Sequence, residues 1–190
     1  IPENNKIYIL NKKNSIQSHI VFNIEGSKRL NSSLPISKAF NSYFGNDMSS
    51  LVFQEIRELR SLAYATFANY ELAPKEGKNN RFFAYIGCQS DKTIESIKAM
   101  NDLIRKMPEK PDRIEMIKSS LIETSKSSRP GFRNILQTTE DWIREGFNSD
   151  PNKVYLKDYE NLSFNSILNF YKKELKNKPI IISIVGDFSR

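Results

Sequence analysis

Residues 41–64 (NSYFGNDMSSLVFQEIRELRSLAY) constrain the fold of this chain more than any other segment, because a helical pattern gives way there to a strand pattern. Apolar residues at helical spacing are followed by the run LAYATFANY, which is typical of a strand. Arg57 and Tyr64 stand at this helix-to-strand junction. A guanidinium and a phenol are both hydrogen-bond donors, suited to a carbonyl oxygen that gains negative charge. The junction is therefore a candidate functional site.

Periodicity predicts the remaining elements. Strands are expected over residues 6–10, 18–25, 61–72, 81–89 and 180–185. Helices are expected over residues 35–44, 93–107, 113–125 and 132–143. Another helix should begin near Asp47, with a buried face of Leu51, Val52, Ile56 and Leu59. Two more should follow the caps Asp150 and Ser163. The order β-β-α-α-β-β-α-α-α-α-β predicts an α+β domain, with a mixed, mostly antiparallel sheet and helices packed on it.

The length of 190 residues fits one domain, spanning residues 1–190, better than two very small ones. A domain of this size buries roughly 70% of the surface that its unfolded chain exposes, so it needs no disulfide or metal to fold. The start at Ile1 lacks an initiator Met and the layout of a signal peptide. We therefore expect a piece of a longer protein, such as its C-terminal half.

The formal net charge of +7 invites a nucleic-acid interpretation. Against it, 22 acidic residues interleave with the 29 basic ones, and no DNA- or RNA-recognition motif accompanies the short basic clusters. We expect no nucleic-acid partner, while an acidic partner surface or an acidic peptide stays open. No apolar run approaches 18 residues, so we also expect no membrane span. The compartment cannot be read from a single cysteine.

The residue types that usually catalyse hydrolysis are scarce in this chain. His19 and Cys88 are the one histidine and the one cysteine, and neither stands at a metal-ligand spacing. His19 falls on the polar face of its strand, as a surface histidine does, and Cys88 falls on an apolar face, where packing explains it. No Ser/His/Asp arrangement has local support. We therefore expect this chain to hold no metal and no catalytic base, which makes it half of an active site.

Residue types alone leave a simpler interpretation of Arg57 and Tyr64 open: a surface arginine paired with Glu58, and a tyrosine packed in the sheet. The order of the residues adds a second interpretation. Residues 45–58 (GNDMSSLVFQEIRE) followed by 61–64 (SLAY) resemble the zinc-free second half of the pitrilysin/insulinase family of zinc peptidases, which includes the mitochondrial processing peptidases. In such halves a helix ending at a glycine pair leads into S-R-L-F-x-x-L-R-E and then G-L-A-Y. The resemblance extends over residues 17–187.

The resemblance implies a two-part zinc metallopeptidase. The first half carries H-x-x-E-H, whose two histidines and a distal glutamate hold the zinc cofactor while the motif glutamate activates water. The second half offers an arginine and a tyrosine that bind substrate carbonyls and support the tetrahedral intermediate, and these match Arg57 and Tyr64. The partner is then a zinc-binding half, in the same polypeptide or as a separate subunit of a dimer. This chain alone is expected to be inactive.

The same resemblance implies a substrate. Peptide in this family adds as a strand to a sheet edge of the zinc half, which favours extended, unfolded segments. Three positions depart from the pattern: Asn46 replaces the second glycine, Leu51 stands where arginine is frequent, and Ser61 stands where glycine precedes Leu-Ala-Tyr. If that turn needs a positive φ, Ser61 strains it. These departures keep a second hypothesis open, a catalytically silent family member that acts as a scaffold or binds peptides.

Overall fold

A computed structural model describes residues 3–58 and 60–187, in which five strands form one sheet. The strands are β1 Lys6–Asn11, β2 Gln17–Lys28, β3 Ala65–Glu71, β4 Asn79–Gln89 and β5 Ile181–Gly186. Their spatial order is β1-β5-β2-β4-β3. The pairs β2–β4, β3–β4 and β2–β5 are antiparallel, and β1–β5 is parallel. The predicted mixed, mostly antiparallel sheet is confirmed, and β5 lies inside it, between β1 and β2.

Helices connect the strands in the predicted order. They are α1 Leu34–Phe44, α2 Phe53–Glu58, α3 Thr93–Arg105, α4 Ile114–Ser127, α5 Ile135–Arg144, α6 Pro151–Val154, α7 Leu156–Glu160 and α8 Phe164–Tyr171. The hydrogen bonding of α2 is that of a π-helix, and a second π-helical turn, Lys172–Lys176, continues α8. The predicted caps are confirmed, because the side chains of Asp150 and Ser163 accept hydrogen bonds from the amides of Asn152 and Ser166.

The core lies on one face of the sheet. Ile20, Phe22 and Ile24 of β2 are at most 1% exposed, which confirms the alternation predicted for this strand. They pack with Phe40 and Phe44 of α1 in one continuous apolar cluster. The residues between them in β2 and β4 face the other side of the sheet, which stays partly open to solvent. The candidate site is at the end of this open face, where β2 and β4 meet the exit of α2.

Two boundaries differ from the prediction. Asp47 does not cap α2; its carboxylate accepts from the Ser42 hydroxyl at 2.5 Å instead. Residues 47–50 form a turn, and the Ser50 hydroxyl accepts from the Phe53 amide at 3.4 Å, so the helix begins later. The predicted buried face of α2 is confirmed at Leu51, Val52 and Ile56, while Leu59 lies outside the described residues. The strand predicted over 61–72 begins only at Ala65, because the residues before it form the helix exit.

Helix α5 forms where it was predicted, but its apolar stripe is not part of the core. Ile135, Leu136 and Ile143 are more than half exposed, as is Phe132 just before the helix. The pattern thus predicted the helix correctly and could not show whether another element covers its apolar side. None of the helices in the described part of the chain is long and apolar enough to cross a bilayer.

Candidate functional site

The exit of α2 turns on Ser61, which has a φ of 49°. The Ser61 amide donates to the Arg57 carbonyl and the Leu62 amide donates to the Ile56 carbonyl, both at 3.1 Å. Paired bonds of this kind around one left-handed residue close many helix ends, and glycine is the usual residue there. The condition considered from the sequence is therefore met: this turn does have a positive φ, at Ser61. Buried Leu62 then anchors the chain as it turns toward β3.

Ser61→Gly is expected to raise the free energy of unfolding by about 1 kcal/mol, because a side chain in the left-handed region costs roughly 1–2 kcal/mol and glycine does not have this cost. In a chain of this length the melting temperature should rise by about 2–4 °C. Ser128→Gly is the matched control, since Ser128 has a φ of −60° and should gain nothing. Equal stability of the Ser61→Gly variant and the parent in thermal unfolding contradicts the assigned strain.

Arg57 leaves the last turn of α2 with its side chain 47% exposed. Its guanidinium carbon lies 4.9 Å from the centroid of the Phe53 ring, and its Nε is 3.8 Å from Glu58 Oε1. The ion pair with Glu58 that the simpler interpretation predicted is therefore present. An exposed pair at this distance contributes little free energy, at most about 1 kcal/mol. The stacking on Phe53 limits the directions the guanidinium can take and leaves its N–H groups accessible.

Tyr64 lies just before β3 with its ring across β4. Its amide donates to the Gly87 carbonyl at 3.1 Å, and a Cβ placed on Gly87 would come within 2.7 Å of the phenol. Only glycine at residue 87 leaves room for the ring in this position. The Tyr64 side chain is 48% exposed, and its hydroxyl donates to Gln17 Oε1 at 2.9 Å. The phenol is thus held in place without being sealed in the core.

Arg57 and Tyr64 border one open cavity of about 500 Å³. Gln17, Glu58, Ser61 and Lys92 also line it. Two cationic side chains and one acidic side chain therefore surround this space, which favours a ligand rich in hydrogen-bond acceptors. The structure brings together the two side chains that the sequence singled out. It places them at the junction of α2 and β3, as expected.

Two further residues of this site were missed by sequence reasoning. The Tyr85 hydroxyl lies 2.7 Å from His19 Nδ1, and it approaches Gly87 from the same side as the Tyr64 hydroxyl. Burial and the nearby phenol of Tyr64 raise the pKa of Tyr85 to about 12, so its hydroxyl keeps its proton at neutral pH. His19 is exposed, as predicted, but it contacts the site. The alternation of β2 and β4 could have placed both side chains on the open face, whereas the register that joins them to Tyr64 has no local signal.

The remaining candidates do not belong to the site. Cys88 is fully buried, and burial raises the pKa of its thiol, so it packs as predicted. Leu51 is fully buried in the core and does not border the cavity. Asn46 has no positive φ and donates from its amide to Asn69 at 3.3 Å, so the left-handed region is not needed there. Within residues 3–58 and 60–187, no group of three or more His, Cys, Asp or Glu could hold a metal ion.

Comparisons with known proteins agree with this architecture. The family model described as the peptidase M16 inactive domain matches residues 1–121. A peptidase M16 inactive domain from Pseudomonas fluorescens superposes with a TM-score of 0.80 at 14% identity, over 97% of this chain and 44% of that one. A protease from Helicobacter pylori gives 0.77 at 11% identity, over 97% and 44%. The periplasmic protease PqqL from Escherichia coli gives 0.70 at 12% identity, over 98% and 21%.

At these identities the solved structures show the fold, and this chain spans less than half the length of each of them. No curated protein sequence matches the chain. The family model, in contrast, covers more than half of the chain and includes the whole Arg57–Tyr64 junction. The chain therefore belongs to the peptidase M16 family of zinc peptidases, the pitrilysin/insulinase family, and is a domain of the type described as inactive.

Proposed function

We propose that this chain is the zinc-free half of a zinc metalloendopeptidase that cleaves extended peptide segments. In this proposal Arg57 and Tyr64 bind the carbonyl groups of the substrate and stabilise the oxyanion that forms during hydrolysis. The observation that carries the proposal is their position on one open cavity of about 500 Å³, with both side chains about half exposed. A family of peptidases supplies the reaction class.

The chemistry of the guanidinium and the phenol supports roles in binding the substrate and stabilising the oxyanion. Attack on a peptide bond places negative charge on the carbonyl oxygen, and preorganised donors near that oxygen lower the barrier. A guanidinium donates several N–H groups in a fixed plane, and a phenol donates one O–H. Lys92 at the rim of the same cavity adds positive potential without a fixed geometry. These side chains can orient a peptide and favour the charged state, but they cannot generate a nucleophile.

The residues of this chain do not fit a zinc ion, as the absence of a metal-ligating cluster in its described part indicates. The proposal therefore assigns zinc and the activation of water to a partner half with H-x-x-E-H, either covalently attached or a separate subunit. A peptide held between the halves would meet Arg57 and Tyr64 from this side. Whether one polypeptide contains both halves is decided by the sequence beyond residues 1–190.

The proposal is tested by combining this chain with the zinc half encoded beside it, in the same reading frame or the neighbouring one. Cleavage of an extended decapeptide with a fluorophore and a quencher at its ends should require both halves, and each half alone should be inactive. A chelator should abolish the cleavage, and added Zn²⁺ should restore it. Equal cleavage by the zinc half alone contradicts the role proposed for this chain.

A second candidate function is a catalytically silent scaffold or peptide-binding subunit. One observation favours it: the donors of both groups have partners within the chain, Arg57 with Glu58 and Tyr64 with Gln17. In a silent subunit these internal contacts would be the whole role of the two side chains, and neither would bind a substrate carbonyl. Dependence of turnover on Tyr64, in the paired enzyme, separates the two functions.

A further inference from the structure

Three side chains from two distant segments surround the Tyr64 hydroxyl. Gln17 Oε1 accepts from it at 2.9 Å. The Tyr85 hydroxyl is nearby, since a Cβ built on Gly87 would lie 2.7 Å from the Tyr64 oxygen and 2.9 Å from the Tyr85 oxygen. His19 Nδ1 lies 2.7 Å from the Tyr85 hydroxyl. Gln17 and His19 belong to β2 and Tyr85 belongs to β4, so the sheet holds these side chains beside Tyr64.

The direction of the Gln17 bond follows from the number of protons. A phenol has one O–H, and the proton of Tyr64 points to Gln17. Gln17 Oε1 therefore takes the one hydrogen bond that the Tyr64 hydroxyl can donate.

We propose that the Gln17 carboxamide occupies the place of a substrate carbonyl in the peptide-free domain. This inference rests on the proposed function of Tyr64. A side-chain carboxamide presents the same acceptor oxygen as a peptide bond, so it takes the same donor in the same direction. Binding of a peptide exchanges one amide acceptor for another at Tyr64.

This exchange requires that the Gln17 side chain can move away from the Tyr64 hydroxyl. Gln17 is the first residue of β2 and is exposed, so its side chain can rotate into solvent without disturbing the core. Its hydrogen bond to Tyr64 is at the surface, where one neutral bond changes an equilibrium by about 2- to 10-fold. Gln17 is thus a weak internal competitor of the substrate, and it sets the affinity of the site rather than the rate of the chemical step.

The test is steady-state kinetics of the paired enzyme with the fluorogenic decapeptide. Gln17→Ala removes the competitor and should lower KM by about 2- to 10-fold with kcat unchanged. Gln17→Glu places a charged acceptor against Tyr64, in a cavity that Arg57 and Lys92 border, and should raise KM. Gln137→Ala is the matched control, because Gln137 is an exposed glutamine of α5 that does not line this cavity.

A double variant separates this inference from a general structural effect. In a Tyr64→Phe background, Gln17→Ala should no longer change KM, since the two residues act through one bond. Gln17 variants that leave KM unmoved, in an enzyme that does depend on Tyr64, overturn the inference. An enzyme indifferent to Tyr64→Phe overturns the proposed function, and this inference with it.

Discussion

Tyr64→Phe is expected to lower kcat of the paired enzyme by about 10²–10³-fold, the effect of losing one oxyanion donor, or roughly 3–4 kcal/mol of transition-state stabilisation. The ring that lies across Gly87 is kept, so the position of the backbone and the shape of the cavity should not change. What is lost is the one proton that Tyr64 can direct toward a carbonyl oxygen. The measurement is kcat and KM for peptide cleavage by the paired halves.

Stability must be unaffected if this loss is to report on catalysis. The Tyr64 hydroxyl is exposed and donates to exposed Gln17, so thermal unfolding of the variant should match the parent within about 0.5 kcal/mol. Tyr8→Phe is the control, because Tyr8 is 55% exposed on the edge strand β1, away from the cavity. An unchanged kcat of the paired enzyme with Tyr64→Phe favours the silent scaffold, in which the phenol only links the segment before β3 to β2 through its hydrogen bond to Gln17.

The candidate site could be predicted from sequence because its two main residues are close in the chain. Arg57 and Tyr64 are separated by one helix exit, and the local pattern, helix then strand, fixes where each must lie. The positive φ of Ser61 was raised from the sequence only as a condition, because glycine is usual at this place in the family that the chain resembles. Local geometry of this kind depends on consecutive residues, so it can be predicted without knowledge of the tertiary structure.

The supporting residues could not be predicted in the same way. Gln17 reaches Tyr64 through the pairing of β2 with β4, in which Gln17 lies opposite Gln89, and Tyr85 does so through the pairing of β3 with β4, in which Ala65 lies opposite Gly87. Alternation predicts which face a strand residue takes, but a shift of one residue in register would have put these side chains elsewhere. The sequence therefore predicts which face of the sheet a strand residue takes, whereas the structure is needed to show which residues lie opposite one another.

Buried charges were missed for a different reason. Arg29 is 2% exposed and donates to the Ala73 carbonyl and to Glu145 at 3.0 Å. Glu174 is 3% exposed although it follows two lysines, a pattern typical of a solvated surface. Charged residues are seldom buried unless paired, so neither pattern nor composition predicts such positions. Their partners come from segments that are distant in sequence.

Glu174 has the environment of a residue on which the fold depends. Its carboxylate accepts from the Ser27 amide at 2.8 Å, the Tyr70 hydroxyl at 2.7 Å and Lys178 Nζ at 3.1 Å. It therefore joins the turn after α8 to β2 and β3 across the covered face of the sheet. Burial alone would raise the pKa of Glu174, but the bonds from Tyr70, Ser27 and Lys178 outweigh it and hold the pKa below its usual 4.5.

Glu174→Ala should lower the free energy of unfolding by about 3–5 kcal/mol, because it leaves two buried donors without an acceptor and an ammonium group without its partner. Chemical denaturation at pH 7 measures this loss as a lower midpoint with an unchanged slope. Glu115→Ala is the matched control: Glu115 also pairs with a lysine, Lys118 at 3.3 Å, but it is 76% exposed and should cost less than about 1 kcal/mol.

The dependence on pH follows from the lowered pKa of Glu174. A carboxyl group with a lower pKa in the folded state binds fewer protons there than in the unfolded state, so it stabilises the fold above its unfolded pKa. The stability difference between the parent and Glu174→Ala should therefore be constant from pH 7 to about 5. Below about 4.5 it should shrink, because the carboxyl group binds a proton first in the unfolded state and, at lower pH, in the folded state as well. A difference that stays constant down to pH 3 would show that packing, and not the ionised carboxylate, accounts for the loss.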